Sequence, residues 1–441
     1  MNIRPIGTVS TIKQNNIKKN KTGINFSGRL TSLVNPLLNT TNTRIMNYNP
    51  FINGIMPIEK RDKLFPKDEK YRRELANSLG ITDQKKLASI VGHQELKEIL
   101  KNSKPSNFNP MLDENGYPTN PDFCINLHMH TKYSDGCFEI KDLLEQAQQY
   151  AEKTSRPILI SISDHDTLEG TKEAIKLIAG NPEKYDKILF VPSIELNAKY
   201  QNPSITRAEV GHNYAFQLEL LGYSINPFNP KLNAFIEELK DSNSEIVTQI
   251  LDVFQEEYPE LKISIEEAKS IKKSDNGNRT HMFYLGSSGI IDDIKSYLHS
   301  KADSITDKTK KDEIRAFINE YFEKYRQEYG SRNVMPKTPN IKEAIKILKS
   351  DGFGFVGIAH PAKIDLNGAK EIGNSSLKKI ISDFYIWGGN AIEYNYQYPG
   401  AENNKGYTDW INSINEFCDT KYPCIIKAGG IDNHGTSIFK R

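Results

Sequence analysis

Cysteine is scarce in this chain, with only Cys124, Cys137, Cys418 and Cys424 among 441 residues and no C-x-x-C pair. That pattern offers neither a disulfide framework nor a thiolate zinc site, and it fits a reducing compartment. Long apolar runs are missing too. Nothing approaches the 18 or so consecutive apolar residues of a membrane span, and the N-terminus has no apolar core of a secretory signal. Excess charge is absent: 58 Lys and Arg face 56 Asp and Glu, a formal +2. That balance argues against binding nucleic acid mainly by bulk electrostatics, although a local basic patch is compatible with it. Neither G-x-S-x-G nor G-x-x-x-x-G-K-[ST] occurs, which excludes the serine nucleophile elbow and the Walker-type phosphate cradle. What remains is a globular, cytoplasmic protein, long enough for one large domain with appendages.

Acidic residues are also missing locally. Residues 1–58 carry seven Lys or Arg and no Asp or Glu, with many Asn, Thr and Ser. Such a stretch is expected to be a basic, disordered extension. A transit peptide fits less well, because Lys and Asn dominate over Arg and no long amphipathic helix is evident. Residues 59–122 read as a short helical segment and a linker. "DQKKLASIVGHQELKEIL" sets Leu87, Ile90, Val91, Leu96 and Ile99 on one side of a helix, with Asp83 as its cap. These helices lack the basic face a DNA-reading pair requires. "KNSKPSNFNPMLDENGYPTNPD" is turn-rich and leads into the main domain, 123–441.

From Phe123 the texture changes. Seven short apolar runs, "FCINLHMH", "PILISISDHD", "KILFVPSIEL", "AFQLELLGYSI", "FGFVGIAHP", "AIEYNY" and "CIIKAGGIDNHG", alternate with amphipathic stretches such as "EIKDLLEQAQQYAEK" and "NIKEAIKILKSDG". Alternation of this kind predicts an α/β fold, a parallel sheet covered by helices and closed or nearly closed into a barrel. Residues 228–340 break the rhythm. They are charged and helical, and are expected to form an inserted subdomain, since a structureless loop that long is improbable.

The polar residues fall at the ends of the apolar runs, where a parallel α/β barrel places its active site. His128 and His130 end the first run and share one face of an extended chain, with Asp135 in the turn beyond. Asp164, His165 and Asp166 end the second run, Glu195 the third and His360 the fifth. Asp432 and His434 end the last, again two residues apart. Each feature alone is ordinary; their recurrence at strand after strand points to a common metal basin.

Taken together, "HMHTKYSDG", "ISDHDT", "SIEL", "IAHP" and "GGIDNHG" resemble the signature of the PHP (polymerase and histidinol phosphatase) superfamily over roughly residues 123–436. "NGNRTHMFYL" in the insertion resembles an Arg-x-His segment of its TrpH-like phosphoesterase branch. The resemblance implies a distorted (β/α)7 barrel holding two or three divalent ions, usually Mn2+, Zn2+ or Fe2+. By that analogy His128, His130, Glu195 and Asp432 hold one ion. Glu195 bridges to a second that takes His360, and Asp135, His165 and His434 hold a third. The family has a histidine before its "LLGY"-like stretch where this chain has Glu219. Either Glu219 ligates through oxygen, or His212 swings in, or that ion binds weakly. The chain also runs only six residues past Gly435, where relatives continue through a closing helix, so the N-terminal helices are candidates to close the barrel.

An ion cluster lined by imidazoles and carboxylates suits phosphoester hydrolysis by activated water. Arg279 and His281 are candidates for gripping a substrate phosphate, as Lys132 is, and a guanidinium does so bidentately. Asp164 and Asp166 are candidates to orient ligating histidines, with a turn cap as the alternative for Asp164. Glu393, ending the sixth run, has either an orienting or a purely structural role. The resemblance implies a nucleotide or short oligonucleotide end as substrate, with no membrane and no obligate protein partner. A small-metabolite phosphatase and a non-catalytic binding module are the competing readings.

Overall fold

The computed structural model describes residues 48–103, 110–200, 216–264, 267, 272–275, 279–282, 290–329, 338–361, 374–394, 396, 405–435 and 437–439. The seven apolar runs are the seven strands of one curled sheet. They are β1 (Ile125–Asn126), β2 (Ile158–Ile162), β3 (Ile188–Tyr200), β4 (Phe216–Tyr223), β7 (Phe355–Ile358), β8 (Ala391–Glu393) and β9 (Ile426–Ala428), in the order β1-β2-β3-β4-β7-β8-β9. Beyond the two edge strands the chain pairs again. Leu127 N donates to Gly429 O, His130 N to Asn433 O and Asn433 N to His128 O, so the curl is joined edge to edge. All five residues of β2 are buried, as expected of a strand covered on both faces.

The expectation of a parallel sheet fails at one strand. β1, β2 and β3 run parallel, as do β7, β8 and β9, but β4 is antiparallel to both neighbours. A parallel pair needs a crossover long enough to return the chain to its start, usually through a helix. β3 and β4 instead follow each other as a hairpin, with Glu195 opposite Leu221 and Asn197 opposite Glu219.

Alternation along the strands divides the apolar side chains between two layers. Leu127, Leu159, Leu189, Val191, Leu221, Phe355 and Ala428 pack inside the curl. Ile160, Ile162, Ile188 and Phe190 face outward under α5 (Ile140–Thr154) and α6 (Glu169–Gly180). Leu196, Leu220, Val356 and Ile392 face outward under α10 (Ile341–Leu348) and α11 (Asn374–Ile386). α12 (Lys405–Lys421) precedes β9 and adds Ile411, Ile414 and Cys418 to that layer.

The N-terminal helices plug the inner layer. α1 (Pro50–Asn53), α2 (Ile58–Leu64), α3 (Pro66–Ser78) and α4 (His93–Asn102) bring Tyr48, Phe51, Phe65, Leu96, Ile99 and Leu100 onto the inward residues at the starts of the strands. Burial of Tyr48 and Phe51 shows that ordered chain begins before residue 58; residues 1–47 lie outside the described residues. The single helix expected across 83–100 is interrupted. Asp83 caps a 3-10 turn, Gln84–Leu87, and Ile90 then bridges Phe190 of β3 before α4 starts. The pairing capacity of the β3 backbone overrides the helical spacing. Beneath the plug, Arg61 and Glu95 form a fully buried pair at 2.6 Å, and Arg72 hydrogen-bonds Ile90 O.

The insertion has its own core. α7 (Pro230–Glu257) lays Leu232, Ile236 and Leu239 on the barrel's outer layer, while Val247, Ile250, Leu251 and Phe254 join α8 (Ile290–Asp303) and α9 (Lys308–Tyr329) in a second cluster. The insertion is not wholly helical. β5 (Lys272–Asp275) and β6 (Arg279–Met282) form a hairpin with Arg279 opposite Asp275 and His281 opposite Lys273. No helix among the described residues is long and apolar enough to cross a membrane.

Leu96 is fully buried in the plug. Leu96→Ala is expected to destabilise the fold by about 2–5 kcal/mol, read from urea unfolding; a loss below about 1 kcal/mol would mean the plug is not part of the cooperative core.

Candidate metal centre

The strand ends converge. His128 and His130 leave β1 with their Nε2 atoms 3.1 Å apart. Glu195 comes from β3, whose inward alternation also carries Leu189 and Val191. Its Oε2 lies 3.0 Å from His128 Nε2 and 3.3 Å from His130 Nε2. Asp432 Oδ1, following β9, lies 3.5 and 3.3 Å from the same two nitrogens. The ligand atoms of these four buried residues lie within 4.8 Å of one another. A tetrahedral ion with bonds of about 2.1 Å holds its ligand atoms roughly 3.4 Å apart, so the spacing fits an ion.

Glu195 faces two ways. Its Oε1 lies 3.1 Å from His360 Nε2, and Glu219 Oε2 lies 3.1 Å from the same nitrogen. The antiparallel β4 makes this meeting: Glu219 shares the inward face with Leu221. The sequence left Glu219 and His212 open; the structure brings Glu219 to His360, and His212 lies outside the described residues. On the solvent side, Asp135 Oδ2 lies 3.1 Å from His434 Nε2 and 3.7 Å from His165 Nε2. His130 stacks between His434 and His165, with ring centroids 4.2 and 4.5 Å away. His165 Nδ1 is buried without a hydrogen bond, 3.3 Å from Glu195 Oε2. A buried, unbonded ring nitrogen facing a carboxylate is a donor arranged for a cation.

The backbone is strained where the site is built. His360 has φ +25°, Asp432 +53° and Asp166 +50°, a left-handed region that side chains other than glycine's adopt at a cost. Glycines allow the close approaches. A Cβ on Gly430 would stand 2.3 Å from His128 Cβ, and one on Gly136 would stand 2.2 Å from His130 O.

Asp164 serves the loop of the first motif. One oxygen accepts from Thr131 N at 2.6 Å and Ser134 Oγ at 2.8 Å, and the other from Thr131 Oγ1 at 2.8 Å. Its bonds thus go to the turn carrying His130 and Asp135 rather than to an imidazole. Asp166 accepts from Asn197 N and Nδ2 at 3.0 and 2.7 Å, tying the loop after β2 to β3. Burial raises the pKa of Asp166 to about 7. Lys132 pairs with Glu139 at the surface. Arg279 and His281 lie on β6, in the hairpin.

Two residues outside the five motifs also belong to the site. Glu393 Oε1 lies 3.0 Å from His128 Nδ1, which resolves its open reading toward the orienting one. Tyr396 donates to Asp432 Oδ2 at 2.9 Å and sets its ring edge-on to His360. Tyr396 was legible only as one more aromatic in "AIEYNY".

The electrostatics are those of a site that trades protons for cations. Burial opposes charge on His128, yet Glu195, Glu393 and Asp432 outweigh it and hold its pKa well above the ordinary value. Burial opposes charge on His130 also, but Asp135, Asp432 and Glu195 raise its pKa to about 10. Desolvation works against charge on Glu195, Asp432 and Asp135, and the surrounding imidazoles hold all three well below the carboxylate range.

No family model matches the chain, and no curated protein matches it. Solved structures similar to it include an amidohydrolase from Chromobacterium violaceum with bound sulfate and no metal. That protein is 19% identical over 71% of this chain and 88% of its own, with a TM-score of 0.43. A candidate metal-dependent phosphoesterase from Bifidobacterium adolescentis is 15% identical over 71% of this chain and 88% of its own, with a TM-score of 0.41. Likeness at those values decides nothing about chemistry, which rests on the side chains themselves.

In the metal-free protein His130 stabilises the fold fully below its ordinary pKa of 6.5, and that contribution is lost as pH climbs towards about 10. Asp135, Glu195 and Asp432 contribute above the ordinary carboxylate range and lose it as pH falls below. Chemical unfolding with a chelator present is therefore expected to show stability declining from pH 6.5 to 10. Divalent ions displace these protons, so calorimetry in buffers of different ionisation enthalpy should register proton release. Ion binding without proton release at pH 7 would contradict this electrostatic account.

Proposed function

We propose that the chain is a metal-dependent hydrolase of phosphoesters, of the PHP type and its TrpH-like branch, working in the cytoplasm. The observation that carries the reading is the buried quartet His128, His130, Glu195 and Asp432, with Glu195 offering its second oxygen toward His360. Two or three divalent ions (Mn2+, Zn2+ or Fe2+), when bound, supply charge for phosphate oxygens and acidify water. Glu219 in place of an imidazole shifts the second position toward a harder ion such as Mn2+.

The residues divide the work by depth. The quartet lies deep and presents its ligand atoms from rigid strand ends, so it positions without reorganising. Asp135, with a side chain 42% exposed, and His434, 22% exposed, stand at the open rim. There they meet the substrate first. Asp164 fixes the turn that carries Asp135, and Asp166 fixes the loop that carries His165. Arg279 and His281 are proposed to bind a substrate phosphate from the insertion. The substrate class proposed is a nucleotide or the end of a short oligonucleotide, met without an obligate protein partner.

Phosphate release from a p-nitrophenyl ester and from nucleoside 3′,5′-bisphosphates with added Mn2+, alongside elemental analysis, tests the reading. His130→Ala and Asp432→Ala are each expected to abolish hydrolysis while leaving the far-ultraviolet circular dichroism unchanged; full activity in either variant would refute it. Glu219→His is expected to keep or raise metal affinity, and a large loss in a calorimetric titration would remove Glu219 from the second position. Metal bound with no turnover of any phosphoester would leave a binding module instead.

A further inference from the structure

Glu393 has both oxygens committed, and to two different candidate ligands. Oε1 lies 3.0 Å from His128 Nδ1, and Oε2 accepts from the backbone N–H of His360 at 2.6 Å. Its side chain is 2% exposed, so water does not substitute for either bond. The two bonds differ in kind. A carboxylate that accepts from Nδ1 puts the proton there, and the Nε2 lone pair of His128 is then free to face Glu195, His130 and Asp432. The bond to His360 acts on the main chain. His360 sits at φ +25°, and a charge-assisted bond to its amide holds that unfavourable backbone in place. His360 Nε2 thereby stays 3.1 Å from both Glu195 Oε1 and Glu219 Oε2. Neighbouring geometry supports the arrangement: a Cβ at Gly430 would come within 3.0 Å of Glu393 Oε1 as well as onto His128.

Resting on the metal-centre reading above, we propose that Glu393 is a positioning residue common to two ion positions. It sets the tautomer of His128 at one and the backbone of His360 at the other, so the two ions load as a coupled pair. A carboxamide at 393 has a single oxygen acceptor where two donors require one. Glu393→Gln therefore leaves one of them opposed to an N–H group, and the strain spreads through the shared side chain.

The test uses the full chain and Mn2+ titration calorimetry, with ion counts by elemental analysis. Glu393→Gln is expected to weaken both of the tightest ions by ten-fold or more, the range typical of lost outer carboxylates. Glu219→Gln, at the second position beside His360 Nε2, is expected to weaken one ion and spare the other. Weakening of a single ion, or of none, in Glu393→Gln would overturn the proposal. A second measurement needs no variant and covers a Glu393→Gln chain that fails to fold. In the Zn2+-loaded wild type, nitrogen-15 spectra of the histidine rings should show His128 protonated at Nδ1, and protonation at Nε2 would overturn it. A wild-type chain that binds no divalent ion defeats the metal-centre reading itself, an outcome distinct from either of these.

Discussion

A carboxylate with no solvent exposure, enclosed by the mouth of an apolar barrel, must be matched by positive charge or by hydrogen bonds, because an unpaired buried ion costs several kcal/mol. Glu195 is in that position, and the surrounding architecture follows from it. Oε2 draws His128, His130 and His165 from two strand ends, while Oε1 draws His360 from a third. Those imidazoles need their own partners, which brings in Asp432, Asp135, Glu219 and Glu393. The centre is thus a lattice of opposite charges grown outward from one side chain. Protons on His128 and His130 offset part of that charge, and with cations present the same atoms are ligands.

That lattice is affordable only on a frame that does not yield. The inner layer of the sheet is packed from below by Phe65, Leu96 and Ile99, and the edges are tied by the bonds around Met129 and Asn433. Strained φ values at His360 and Asp432 lie at the top of this frame, where surrounding bonds over-determine them. Tyr396 holds the carboxylate of Asp432, and Glu393 holds the backbone amide of His360. Stability below and strain above are two sides of one construction.

Much of this was legible in the sequence because a strand buried on both faces writes itself as an apolar run, and the residue that ends the run is the one that reaches the mouth. His128, His130, His165, His360, Asp432 and His434 were found that way, and all seven runs are strands. Four features were hidden for physical reasons. The direction of β4 depends on the connection to β3, which composition does not encode, so Glu219 was found only through a family resemblance. The interruption at Ile90 arises because β3 offers an unpaired backbone edge, a tertiary effect that helical spacing cannot register. The joint role of Glu393 depends on a backbone amide, that of His360, and main-chain donors leave no trace in residue identity. The hairpin carrying Arg279 and His281 was masked by the helical composition around it.

The 28-residue helix α7 has a consequence for how the protein can be dissected. Its rise of 1.5 Å per residue makes it a rod of about 42 Å, and it belongs to two hydrophobic clusters at once, the barrel's outer layer at one end and the insertion's core at the other. Excising the insertion as though it were a loop would strip Leu232, Ile236 and Leu239 from the barrel's outer cluster, which they share with Ile341, Ala344 and Ile345 of α10. A minimal fragment carrying the candidate metal centre therefore has to keep the first three turns of that rod, and the second core is an outgrowth of the barrel's coat rather than a guest threaded through it.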